Sequence, residues 1–161
     1  MTAKWGVLAG VSLTILAACG DSSEAEMSRP AQILVATIEE VLARENPAAG
    51  TDDLPVVYVE PLGDEDIDAT VQADTASELR EVADVRFADE RSEALDDDEP
   101  GMPVRDDGIL IAIGDVPEEG DPVDVEVETY RSEDDRSTAV FSFALRSSEW
   151  TVTSTSVVPD P

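Results

Sequence analysis

The chain has no histidine, one cysteine and one lysine. That lysine, Lys4, lies ahead of the N-terminal apolar run, so arginine is the only base in everything after residue 18. Ser-His-Asp and Ser-Lys nucleophilic systems, lysine Schiff bases and phosphate-binding Gly-Lys loops are therefore excluded from the body of the chain. Zinc sites are equally starved, with no imidazole and a single thiol. One cysteine also rules out a disulfide within the chain. No internal repeat is present.

Positive charge is the other scarcity. Nine arginines after residue 18 face 38 aspartates and glutamates, and the whole chain carries a formal charge of −28. Such a field repels phosphate backbones and anionic head groups, which excludes nucleic-acid binding and adsorption to a membrane by charge. Cationic partners remain open. The competing reading is solubility at high ionic strength, where repulsion between surface carboxylates is screened. The spread of acids along the whole chain favours solvation over a specific cation site.

What is present begins with a leader. Residues 1–18 have a short start with Lys4, an apolar run from Trp5 to Ala18, and small residues before Cys19. The run is too short for a comfortable span, which takes about 20 residues, so it reads as a secretory signal. Leu16-Ala17-Ala18-Cys19-Gly20 closely resembles the lipobox of bacterial lipoproteins, in which small residues precede an invariant cysteine. The resemblance implies a thioether-linked diacylglycerol on Cys19, cleavage before it, and an acylated amino group in some bacteria. Two or three acyl chains make an effectively permanent anchor where one is marginal. No paired-arginine signal precedes the run, so export is expected by the general unfolded-chain route. Gly20 stands where some double-membraned bacteria place an aspartate for inner-membrane retention. The expected location is lipid-anchored on a cell membrane, facing outside the cytoplasm, on the periplasmic side or the cell surface.

The remaining length suits one domain, with 42% hydrophobic residues to build a core. Residues 19–28, containing "GDSSEAEM", read as a flexible acidic tether, and residues 29–161 as the domain. Ser28 stands at a helix N-cap position with Pro30 in the first turn. Ile33, Leu34, Ile38, Val41 and Leu42 follow at helical spacing until Asn46-Pro47, which predicts a helix over about 29–45. After a loop "PAAGTDD", Val56 to Val59 predicts a strand stopped by Pro61 and Gly63. A second helix is predicted from about Asp66, as its cap, to Val82, with Ile67, Val71, Leu79 and Val82 on one face. The alternation over residues 67–73 offers a short strand instead, but "ASELREV" continues the helix.

A short strand over Val85 to Phe87, a helical turn in "ERSEAL", the loop "DDDEPGMP" and a strand from Ile109 to Ile113 come next. Val123, Val125 and Val127 then alternate with acids. Phe141, Phe143 and Leu145 repeat the pattern, as do Trp150 and Val152, and the turns "SEDDRS" and "RSSE" link the three runs as a meander. The expected fold class is α+β, with two helices packed on one face of a curved antiparallel sheet ending in a three-strand meander. The ending "FALRSSEWTVTS" resembles the closing hairpin of nuclear transport factor two-like and cystatin-like domains, over about 20 residues. That likeness concerns shape and implies no activity.

Carboxylates are what remains for chemistry. Paired acids can hydrolyse glycosides, but with 38 candidates pairing alone is uninformative. Without a specific constellation the chain is expected not to be an enzyme. Asp64, Asp66 and Asp68 alternate as an EF-hand loop begins, yet Ala69 and Thr75 occupy its glycine and glutamate positions, and acids at a helix N-terminus are a simpler account. The tract Asp96-Asp97-Asp98-Glu99 is an alternative hard-cation site or a solvated loop. Arg86 and Arg105 are expected either to pair with Asp89 and Asp107 or to line an anion cleft. Trp150 is core or a ligand platform. Three functions stand: a lipoprotein binding an unidentified protein or small molecule without catalysis, a calcium or other cation binder, and a carboxylate-dependent hydrolase. No cofactor is expected beyond the lipid on Cys19.

Overall fold

A computed structural model describes residues 27–45 and 54–159. Cys19 with its lipobox, the tether up to residue 26, and the loop "PAAGTDD" lie outside the described residues.

Helix α1 spans Arg29–Glu45. Ser28 Oγ accepts from the Ala31 N–H at 3.4 Å, as expected of a cap. Ala31, Ile33, Leu34, Thr37, Ile38 and Val41 are buried along one stripe, and Thr37 satisfies its hydroxyl by donating to the Ile33 carbonyl. Helix α2 spans Ala69–Leu79, shorter than expected at both ends. Its cap is Asp68 rather than Asp66, with Oδ1 accepting from Thr70 N–H at 2.7 Å. At the other end the Val82 and Ala83 amides both turn back onto the Leu79 carbonyl at 2.8 Å. That tightening swings Val82 outward, so it is exposed instead of sharing the buried face.

The strands are β1 Val56–Pro61, β2 Asp84–Phe87, β3 Ile109–Ile113, β4 Val123–Ser132, β5 Asp135–Arg146 and β6 Glu149–Val158, with a one-turn helix α3, Arg91–Ala94, after β2. They form one six-stranded sheet in the order β2-β1-β3-β4-β5-β6. The fold is α+β and closes in the expected meander, but the sheet is mixed. β1 runs parallel to both β2 and β3, and only β3 through β6 are antiparallel. The reason lies in the connections: α2 intervenes between β1 and β2, and α3 with its following loop between β2 and β3, and a parallel pair requires such a crossover.

Both long helices cover one face of the sheet, as expected. Ile33, Leu34 and Ile38 of α1 and Leu79 of α2 pack with Val57, Val59, Ile111, Val125, Val127 and Phe143 into the main core. The opposite face of β1, β3 and β4 is covered by α3 and its loop through a smaller cluster of Tyr58, Ala94, Leu95, Val104, Leu110 and Tyr130. β3 is consequently buried on both faces, the usual cause of an unbroken apolar run. Phe141 and Phe143 are buried, whereas Leu145, near the hairpin tip, is exposed. The β5–β6 turn uses Ser147 and Ser148 at φ 52° and 73°, the mirror-image turn that matches strand twist.

Candidate functional site

β1 and β3 end side by side, with Pro61 opposite Ile113. From there one chain leaves toward α2 and the other toward β4. At Gly114 the backbone presses against β4, its N–H bonding to the Glu126 carbonyl at 2.8 Å. A Cβ at that position would lie 3.2 Å from the same oxygen, so glycine permits the approach. The two departing segments and the start of α1 enclose a cleft of about 420 Å³. Its apolar walls are Pro30 and Leu34 from α1, Ile67 and Val71 from the α2 side, and Ile113 and Val116 from the β3 side. Its polar rim is wholly acidic: Glu65, Asp66, Asp68, Asp115 and Glu118. The carboxyl ends of parallel strands are where open α/β sheets commonly hold ligands.

Asp66 and Asp68 thus line the cleft, and Asp64 does not. The three do not converge on a common point as ligands would, and among the described residues no group of three or more acids, histidines or cysteines is placed to hold a metal ion. Asp68 is committed to α2. The backbone N–H of Thr70, and then its side chain, stabilise the Asp68 carboxylate and hold its pKa below the usual range. A depressed folded pKa contributes stability that is present above the unfolded pKa and is lost as pH falls through the folded one. Asp68→Ala is therefore expected to lower the melting temperature by a few degrees at pH 7. In thermal melts the gap to the parent should begin to close below about pH 4 and vanish in stronger acid.

On the opposite face, Arg86 is fully engaged. It contacts Asp84 at 2.7 Å, Asp106 at 2.5 Å and the Tyr58 hydroxyl at 2.9 Å, and its guanidinium stacks 5.5 Å from the Tyr58 ring. Those bonds, Asp84 first, raise its pKa further. The expected partner Asp89 is not used, because Asp84 lies two residues back on the same strand face. Arg105 donates to the Leu95 carbonyl at 2.6 Å and lies 3.8 Å from Asp97, not Asp107. Both arginines are thus paired within the fold, with Asp84, Asp106 and Asp97 in place of the expected Asp89 and Asp107. Trp150 is buried in the main core, with Arg29 stacked 4.4 Å over its ring.

Sequence reasoning missed the most organised charge cluster. Strand register sets Glu60 opposite Ala112, and Ala112 opposite Glu128, so the two glutamates flank a small residue on one face. Arg91, from α3, reaches between them, 2.5 Å from Glu60 and 2.7 Å from Glu128, over the Tyr130 ring at 5.5 Å. Glu60 is 7% exposed. Burial opposes the arginine's charge, but bonding and attraction to both carboxylates outweigh it and its pKa is raised. The signals were weak: Glu60 ends an apolar run, and Glu128 sits in an alternation that reads as wet. This is a facing carboxylate pair, but one already filled by a guanidinium.

Compared with family models, with curated proteins and with solved structures, the chain matches none.

Proposed function

We propose that this chain is a bacterial lipoprotein, anchored through lipid on Cys19 and facing outside the cytoplasm. Its domain binds, without catalysis, a cationic ligand with an apolar portion, in the cleft beyond β1 and β3. The lipobox and the apolar run before it support the anchor. The observation that carries the binding reading is the combination of Leu34, Ile67, Val71 and Ile113 as walls with a rim containing acids and no base. An ammonium group at that rim gains attraction from several carboxylates, and a hydrocarbon tail within gains about 0.8 kcal/mol per methylene buried. Anions with the same tail meet net repulsion from the five rim acids, against which Arg29, held on the Glu118 and Gly120 carbonyls beside the rim, is a single opposing charge. Catalysis forms no part of the proposal, since the facing pair Glu60 and Glu128 is occupied by Arg91.

Calorimetric titration with octylamine and with octanoate tests this reading. Octylamine is expected to bind saturably, more weakly as salt rises, and to be lost in an Ile67→Gln/Val71→Gln variant that still melts cooperatively, both side chains being only partly buried. Equal binding of the two probes, or heat from neither, would remove the cleft from the account.

A further inference from the structure

The sheet ends in an edge strand that α1 touches on its face, Arg44 donating to Thr155 Oγ1 at 2.7 Å and Arg29 lying over Trp150, and that no further strand pairs with among the described residues. β6 is outermost, with β5 on one side and, among the described residues, no strand on the other. The two-residue turn makes Arg146 and Glu149 a hydrogen-bonded pair, so alternate positions beyond it direct their backbone groups away from β5. Trp150 and Val152 do so before the bulge at Thr153, and Thr155 and Val157 after it. Val157 is 68% exposed and Val158 43%.

Sheet edges are ordinarily guarded by charge, proline or a covering element. Here 30% of the chain is charged, yet Trp150 to Val158 contains no charged residue, and the first proline is Pro159, beyond the strand's end. The other outer strand, β2, carries Asp84 and Arg86 in only four residues. β6 is instead a run of threonine, serine and valine with strong strand preference.

We propose that β6 pairs antiparallel with β6 of a second copy of this chain, joining two sheets across a two-fold axis. The charge pattern selects this occupant. Two-fold pairing sets residue i of one strand against residue j of its twin, so each carboxylate on the strand would be present twice within the short paired segment, and in a chain of net charge −28 a stretch of strand without them is what such an edge requires. A basic partner would be recognised by acids, and β6 carries none beyond Glu149 beside its turn. The remaining repulsion between copies is long-ranged and screened by salt.

The test uses the full-length chain purified in a mild detergent, which makes it independent of how Cys19 is modified. Protein mass is read by light scattering on an eluting column. Two chains per particle are expected, with the dissociation constant falling roughly tenfold or more between dilute and molar salt. The exposed pair Ser154→Asp/Ser156→Asp should give one chain per particle at an unchanged melting temperature. A single-chain particle at every salt concentration, or a variant that remains paired, would overturn the proposal.

Discussion

Cys19→Ser is expected to move the protein from the membrane pellet to the soluble fraction, an all-or-none change from one atom. Two or three acyl chains, at about 0.8 kcal/mol per buried methylene, make dissociation negligible, and serine offers no thiol to carry them. The acidic body repels anionic head groups, and among the described residues no helix is long and apolar enough to cross a membrane. The checks are fractionation of cells expressing each form and mass spectrometry of the N-terminal fragment. The parent fragment should begin at Cys19 and carry the added mass of lipid. An unmodified thiol or a retained leader on the parent, or a serine variant that has lost its leader and still pellets with membranes, would end the lipoprotein reading.

Arg91→Met should destabilise the domain by about 2–4 kcal/mol. Removing one partner of a buried ion pair typically costs 3–5 kcal/mol, and the Arg91 side chain is about one-third exposed, which lowers the figure. Methionine keeps most of the packing volume and removes the charge. Glu60 and Glu128 then face each other across Ala112 with no counter-ion between them. Helix α3 is only four residues long, too short to persist alone, so its amides should also exchange faster with solvent. Urea denaturation of Arg91→Met and of Arg91→Met/Glu60→Gln measures the effect. The second substitution is expected to recover part of the loss by removing one of the two opposed charges. A single variant within about 0.5 kcal/mol of the parent, as for an ordinary surface change, would show that the triad contributes nothing.

Elements held together by local pattern were legible in the residues. The α1 boundaries follow from Ser28, Pro30 and the spacing of Ile33, Leu34, Ile38 and Val41, and the alternation of Val123, Val125 and Val127 with acids marks β4. The direction of β1 against β3 was not legible from their unbroken apolar runs, since a strand buried on both faces has no alternation to read. The intervening α2 was the available signal, because a helix between two neighbouring strands permits parallel pairing. The cleft escaped notice for a related reason: Leu34, Ile67 and Ile113 come from separate elements.

Taken alone, the residues determined the chemistry this protein lacks, its acidity, the lone thiol behind an apolar run, and the positions of its main helices and strands. These depend on composition or on neighbours a few residues apart. Only the tertiary structure decided which carboxylates meet. Glu60 and Glu128 are 68 positions apart in the chain and share one guanidinium, while Asp64, Asp66 and Asp68, adjacent in sequence, form no common site. Strand order and register, set by burying the apolar faces of the whole sheet at once, make that choice, and no local window contains it.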